Sequence, residues 1–156
     1  MLEIHTSKRV LIGAALVAVI SAALVWATPG SQFTSTVLQR SITDARIKIQ
    51  TKPHDLNDIL VQQIIAQPGG YSGWHSHPGP ALAAVKTGVV ANYSGDDPTC
   101  TPTYFAAGSA FFEEAGHVHF VRNEGTVAFE VYATYVLPAN VPARTDESNP
   151  GNCPPF

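Results

Sequence analysis

Two closely spaced histidine pairs are the part of this sequence best suited to chemistry. His75 and His77 are separated by one residue, and so are His117 and His119. On a β-strand, residues two positions apart point to the same face, so both imidazoles of a pair can reach one ion. Neutral imidazole suits zinc, iron, nickel and copper and, less well, manganese. One pair needs at least one further ligand, and either pair alone is equally well explained by half-exposed strand histidines.

The segments around these pairs predict an all-β domain. Six short apolar segments follow one another, with turn residues such as Gly88 and Gly125 between them. They cover residues 81–86, 89–94, 102–106, 110–113, 117–121 and 128–137. Many short strands at this spacing indicate a sandwich or a barrel. Upstream, residues 47–50 alternate like a half-buried strand. Residues 58–67 predict a buried strand, with a short helix at 55–62 as the alternative.

Glycines at fixed distances from the histidines resemble the two motifs of the cupin superfamily. The first motif, G-x5-H-x-H-x3,4-E-x6-G, is matched by Gly69, His75, His77 and Gly88. The second, G-x5-P-x-G-x2-H-x3-N, is matched by Gly108, Gly116, His119 and Asn123. The resemblance implies a cupin double-stranded β-helix, an all-β jelly-roll barrel that carries the histidines near one mouth.

The same resemblance implies that His75, His77 and His119 bind one divalent metal ion, with iron, zinc, manganese and nickel as candidates. The glutamate of the first motif is missing, because Ala81 and Leu82 stand in its place. A shell of three neutral imidazoles leaves the full charge on the ion. Such a site favours an anionic ligand and keeps positions open for water or substrate.

The sequence leaves undecided which further residues bind the metal and which line the cavity. His117, Glu113 or Glu114 could complete the shell; the alternatives are a proton carrier for His117 and solvated turn residues for the two glutamates. Glu114 also replaces the proline of the second motif. Tyr71 and Tyr104 could reach the cavity mouth, where a phenol can orient a ligand or donate a proton. The predicted barrel lining consists of Trp74, Phe111, Phe112, Phe120, Tyr132 and Tyr135.

The N-terminal segment has the pattern of an export signal. Residues 10–27 are uncharged and largely apolar, and they follow Lys8 and Arg9. This predicts a signal peptide cleaved near Ala27 or an uncleaved membrane anchor, with a buried core helix as a third reading. Export places the rest of the chain outside the cytoplasm. We therefore expect a signal or anchor helix at 1–27, an extended segment at 28–46, the cupin barrel at 47–138 and a Pro/Gly-rich tail at 139–156.

Export also bears on the two cysteines, Cys100 and Cys153. Thiols outside the cytoplasm tend to form disulfides. The tail around Cys153 has too few apolar residues to hold itself on the domain. We therefore predict a Cys100–Cys153 disulfide that pins the tail.

Charge and composition limit the partners. The formal net charge is −3, and the sequence has no Lys/Arg cluster and no glycine-rich phosphate loop, which argues against nucleic acid. The predicted partner is a small molecule. Membrane contact is expected only through an uncleaved N-terminal segment, and a homodimer is expected by analogy with other cupins.

Three functions fit these residues. The first is an exported cupin that holds one divalent metal ion and binds a small anionic or sugar-like ligand. The second is a metalloenzyme, either a three-histidine dioxygenase or an isomerase or lyase that uses the metal as a Lewis acid. The third is a metal-free structural module. Catalytic residues stay unassigned, because no base, nucleophile or second carboxylate stands out.

Overall fold

The computed structural model describes residues 32, 34–52 and 55–153, and this part of the chain is all-β. The described residues form nine strands. They are β1 (Asn57–Ala66), β2 (His75–Ser76), β3 (Ala81–Thr87), β4 (Val89–Ser94), β5 (Thr103–Ala106), β6 (Ala110–Glu113), β7 (His119–Arg122), β8 (Phe129–Pro138) and β9 (Thr145–Asp146). They build two antiparallel sheets, with the strand orders β1-β8-β3-β6 and β5-β4-β7-β2-β9. The predicted all-β double-stranded barrel is confirmed.

Strand β8 shows most directly how the sequence makes the barrel. Its burial alternates along the whole strand, as expected when one face of a sheet covers a core. The buried residues are Phe129, Val131, Ala133, Tyr135 and Leu137. On the two sides of β8, β1 pairs with it over ten residues and β3 pairs with it up to a bulge between Val85 and Thr87. The four-stranded sheet is therefore organised around β8.

Strand β1 differs from the prediction in its burial. It is a strand, so the alternative helix at 55–62 is wrong, but only one of its faces is covered. Leu60 and Ile64 pack against the core, whereas Ile59 and Val61 are 65% and 62% exposed on the other face. A strand at the end of the sheet order has one partner strand, and nothing among the described residues covers its outer face. The predicted homodimer stays a prediction.

The segment before β1 contains a second difference. The half-buried strand predicted at residues 47–50 is not formed, and Ile47 and Ile49 are 47% and 41% exposed. Four alternating residues without a pairing partner gain too little to form a strand. Earlier in the chain, Ile42 does pair: it forms a bridge to Ser109, and its backbone bonds to Gly108 and Ala110.

The C-terminal segment is more ordered than a pinned tail. Strand β9 pairs with β2, opposite His75 and Ser76. The predicted disulfide between Cys100 and Cys153 is present, and Cys153 packs in a buried cluster with Trp74 and Phe120. The residues after 138 therefore complete the five-stranded sheet.

The predicted signal or anchor at 1–27 lies outside the described residues. Within the described part, no helix has the length and apolar character that a membrane span needs.

Candidate metal centre

The sheet register brings the three predicted histidines together. His75 on β2 pairs directly with His119 on β7, and His77 follows immediately after β2. All three are buried, with exposures of 6%, 4% and 1% for His75, His77 and His119. Their candidate ligand atoms all lie within 4.8 Å of one another. Three imidazoles from two strands are thus close enough to bind one metal ion.

Backbone carbonyls set the orientation of each imidazole. Nδ1 of His75 lies 2.9 Å from the carbonyl oxygen of Gly73. Nδ1 of His77 lies 2.6 Å from the carbonyl oxygen of Ala143, and Nδ1 of His119 lies 3.0 Å from the carbonyl oxygen of His117. A carbonyl only accepts hydrogen bonds, so each Nδ1 must carry the proton. This tautomer leaves the Nε2 lone pair of all three rings available, as it is in metal-binding histidines.

A buried carboxylate faces the Nε2 atoms of His77 and His119. Glu113, at the end of β6, is 8% exposed. Its Oε2 lies 3.4 Å from Nε2 of His77, and its Oε1 lies 3.2 Å from Nε2 of His119. The amide of Asn92 also donates to Oε1 at 3.4 Å. Glu113 therefore lies beside two of the three imidazoles.

Glu113 occupies the place of the missing glutamate from the neighbouring strand. Ala81, which stands at the family's glutamate position, pairs with Glu113 in the β3–β6 register. The three histidines expected from the sequence are the residues whose ligand atoms lie within 4.8 Å of one another, and Glu113, one of the further ligands left open there, lies beside two of them. Glu114 is exposed and points to no role here.

The contact between Glu113 and the histidines requires a positive charge. Carboxylate oxygens and imidazole lone pairs are both acceptors, so they attract only through a shared proton or cation. Nε2 of His119 is fully buried and has no hydrogen-bond partner among the described residues, despite its short distance to Glu113. Two ligands about 2.1 Å from one ion lie about 3.0 Å apart at a right angle and about 3.4 Å apart in a tetrahedron. The distances of 3.4 Å and 3.2 Å from Glu113 to His77 and His119 fall within this range.

The pKa directions favour a cation over a proton in this position. Burial, reinforced by His119, lowers the pKa of His75 to about 4. Burial also lowers the pKa of His119, although Glu113 opposes this shift. Burial alone would raise the pKa of Glu113, but its contacts with the imidazoles outweigh that effect and hold the pKa below its usual range. These directions favour neutral rings for His75 and His119 and an ionised carboxylate for Glu113 near neutral pH.

A cavity of about 360 Å³ adjoins the centre. His75, His77 and Glu113 form part of its wall, and most of the remaining wall is apolar, from residues such as Phe111 and Val131. Tyr71 lines it as predicted. Tyr104 does not: it is 58% exposed on β5, and its hydroxyl donates to Glu124 at 2.7 Å. The predicted role of Tyr104 at the cavity mouth is therefore wrong.

His117 is not brought into the centre by its side chain. Its Nε2 lies 3.0 Å from Oγ of Ser94 and 3.5 Å from Oδ2 of Asp96. Residue 117 precedes β7, so the regular strand assumed for the pair does not include it. Its contribution is the backbone carbonyl that bonds His119.

Two residues of the centre's surroundings were missed from the sequence. Ala143 and Arg144 lie in the segment expected to be tail, yet both line the cavity. Tyr135 was predicted as barrel lining, without a role for its hydroxyl. An available signal was the alternation of β8, which places Tyr135 on the same inward face as Ala133 and Leu137.

Comparison with known proteins agrees with the fold. Residues 63–135 match the family model of the cupin domain, and this stretch contains all three histidines and Glu113. Residues 63–135 therefore belong to the cupin superfamily. No curated protein matches the sequence.

Several solved structures are similar to this chain. A protein with a double-stranded β-helix domain from Klebsiella pneumoniae subsp. pneumoniae MGH 78578 is 24% identical, with 72% of this chain and 100% of that chain covered and a TM-score of 0.49. The TT1209 protein from Thermus thermophilus is 26% identical over 51% of this chain and 72% of that chain, with a TM-score of 0.44. The DMSP lyase DddQ from Ruegeria pomeroyi DSS-3 is 18% identical, with a TM-score of 0.50. That match covers 60% of this chain and 45% of the lyase, so it supports the fold alone.

Proposed function

We propose that this cupin domain binds one divalent metal ion through Nε2 of His75, His77 and His119 and the carboxylate of Glu113. The observation that carries the proposal is the shared orientation of the rings. All three Nδ1 atoms are used by carbonyls, and the Nε2 atoms of His77 and His119 face one buried carboxylate. Iron, zinc, manganese and nickel all suit this mixture of nitrogen and oxygen ligands.

The charge of the centre supports an anionic ligand. Three neutral imidazoles and one carboxylate reduce the charge of a divalent ion to +1, in a buried place where an unbalanced charge is costly. A small anionic or sugar-like molecule in the adjoining cavity could balance or solvate it. We therefore propose that the domain holds such a ligand next to the metal.

Metal analysis tests the first part of this proposal. The full-length protein, purified without chelator or histidine tag, should contain close to one equivalent of metal. The triple variant His75→Ala/His77→Ala/His119→Ala should contain none. Negligible metal in both proteins, even after each is incubated with every candidate ion, would remove the metal centre and leave the metal-free module.

A relocation of the carboxylate tests the role of Glu113. Glu113→Ala should lose most of its metal, because removal of the carboxylate takes away one ligand and its charge. Adding Ala81→Glu restores the family's glutamate on the paired strand, and the double variant should regain metal. Equal metal content in the parent and in Glu113→Ala would show that three histidines suffice.

A metalloenzyme is the second candidate, favoured by the cavity that opens onto His75 and His77. When bound, the metal would supply either oxygen chemistry or Lewis-acid polarisation of a substrate. The element found in the analysis separates these cases, since iron favours a dioxygenase and zinc, manganese or nickel favours binding, isomerase or lyase chemistry.

We also propose that the domain works outside the cytoplasm. The Cys100–Cys153 disulfide supports this location, because disulfides persist mainly in oxidising compartments. The apolar run at residues 10–27 supports it independently from the sequence.

A further inference from the structure

Tyr135 carries a hydroxyl that no described residue satisfies. The side chain is 4% exposed and lines the cavity. Its ring packs edge-on against His77, with 4.9 Å between ring centroids. Among the described residues, the polar influences on the phenol are the more distant charges of Glu113 and Arg144. Because this side chain lines the cavity and its hydroxyl makes no hydrogen bond to the described residues, its donor is open to a molecule that enters the cavity.

Other tyrosines of the domain differ in this respect. Tyr93 and Tyr104 both donate to Glu124. Tyr132, on the same strand as Tyr135, lies on the outer face beside Lys86 and Glu130. Tyr71 also lines the cavity but is 63% exposed, so Tyr135 is the buried cavity tyrosine whose donor is available.

The polar groups of the cavity wall favour a ligand that accepts hydrogen bonds and carries a negative charge. Besides Tyr135, it is lined by the Arg144 guanidinium and the Gln62 amide. Glu113 is the one carboxylate in the wall, and it is already engaged by His77 and His119. Arg144 is held in place by bonds of 2.7 Å to Asp146 and to the Ser72 carbonyl. The Tyr135 hydroxyl, the Gln62 amide and the Arg144 guanidinium, which is ion-paired with Asp146, therefore supply hydrogen-bond donors to the wall, and a divalent ion held as proposed would add a net charge of +1 beside them.

The rest of the wall limits the body of the ligand. It is formed largely by aliphatic and aromatic side chains, among them Ile64, Val90 and Phe129. The volume of about 360 Å³ lies at the lower end of the roughly 300–1,000 Å³ typical of small-molecule sites. A small molecule with one anionic group and an apolar chain matches both properties.

We propose that the cavity binds a small aliphatic monocarboxylate and that the Tyr135 hydroxyl donates a hydrogen bond to its carboxylate. This inference rests on the proposed function, since the metal centre forms the adjoining wall. The inference extends the proposed function, because it names the class of the ligand and the residue that selects this ligand.

Calorimetric titration tests the inference with two matched series. Acetate, butyrate and hexanoate are titrated into the full-length protein, with acetamide, butyramide and hexanamide as uncharged counterparts. The acids should bind at least tenfold more tightly than the amides, and affinity should rise with chain length. Tyr135→Phe removes only the hydroxyl and should weaken acid binding by about tenfold or more, because a hydrogen bond to a charged group is lost. The amides should lose less.

Tyr132→Phe is the control, because it removes a hydroxyl from the other face of the same strand; its affinities should equal those of the parent. Equal affinity of the parent and Tyr135→Phe for the acids, or equal binding of acids and amides, would overturn the inference. Each titration is made on metal-loaded and metal-free protein, with the metal content measured alongside. An absence of metal then counts against the proposed function, while the effect of Tyr135→Phe on acid binding still decides the role of the hydroxyl.

Discussion

The two sheets of the barrel are held together in different ways. In the four-stranded sheet, β1 and β8 pair without interruption over ten residues, and β3 continues the ladder on the other side of β8. In the five-stranded sheet, the strand that carries His75 has only two residues. It pairs with β7 through His75 and His119 alone.

The short strand is stabilised by the C-terminal segment. The carbonyl of Ala143 accepts from His77 at 2.6 Å. Glu147 accepts from the Ser76 hydroxyl at 2.7 Å, and its backbone N–H donates to the Trp74 carbonyl at 3.0 Å. The disulfide at Cys153 fixes the far end of this segment. The four-stranded sheet is therefore held by long backbone ladders, whereas the histidine cluster is held by a two-residue strand and by the C-terminal segment that pairs with it.

Removal of the disulfide should affect the centre most. In the Cys100→Ser/Cys153→Ser variant, the loop-entropy estimate for a separation of 53 residues is a loss of about 4 kcal/mol in the free energy of unfolding. Release of the segment also loosens the carbonyl that orients His77. Metal affinity should therefore fall by about 10–100-fold, as for other changes to groups that orient ligands. Urea denaturation and competition with a chelator measure the two quantities.

Reduction and reoxidation of the parent protein provide the control. Reduced parent should behave like the double variant, and reoxidised parent should recover its metal affinity. Unchanged metal affinity in the folded variant would show that β9 holds the centre without the disulfide, and the proposed dependence on the pinned segment would be wrong.

Acid should weaken the metal-free protein through the same centre. Burial lowers the pKa of His75 from 6.5 to about 4, so the unfolded chain binds a proton at this residue at a higher pH than the folded protein. Stability is therefore lost as the pH falls from about 6.5 to about 4, by up to about 3 kcal/mol. The depressed pKa of Glu113 also lowers the free energy of unfolding as the pH falls, because the folded protein binds this proton only at lower pH than the unfolded chain.

Urea denaturation at several pH values measures this effect. The variant His75→Gln lacks the titrating group and should show a flatter dependence on pH in this range. An equally steep dependence in the variant would assign the effect to other groups.

The same division explains what could be predicted from the sequence. The strand at β8 follows from its alternation, since five inward residues face one core. The three histidines follow from their spacing and from the flanking glycines. Both features are local patterns that need no knowledge of distant contacts. The proposed metal ligands among the histidines therefore stand as they were predicted from the sequence.

The remaining features depend on pairing between distant segments. Glu113 stayed one of three possible ligands, because its place beside Ala81 appears only in the β3–β6 register. Strand β9 has two residues in a stretch rich in proline and asparagine, so its pairing with β2 leaves no periodic pattern. The alternation at residues 47–50 predicted a strand that is not formed, because a local pattern without a partner strand is not enough to form one.

Truncation of the core in the four-stranded sheet gives the smallest expected effect and the sharpest test of the division. Val85 is fully buried in a cluster with Phe111 and Val131. Val85→Ala should cost roughly 2 kcal/mol of unfolding free energy, from the lost apolar burial and the cavity left behind. The metal affinity of the folded protein should stay unchanged, since Val85 contacts none of the groups that orient the histidines. A loss of metal affinity as large as that of the disulfide variant would mean that damage to the core of one sheet reaches the histidines. The proposed difference between the two sheets would then be wrong.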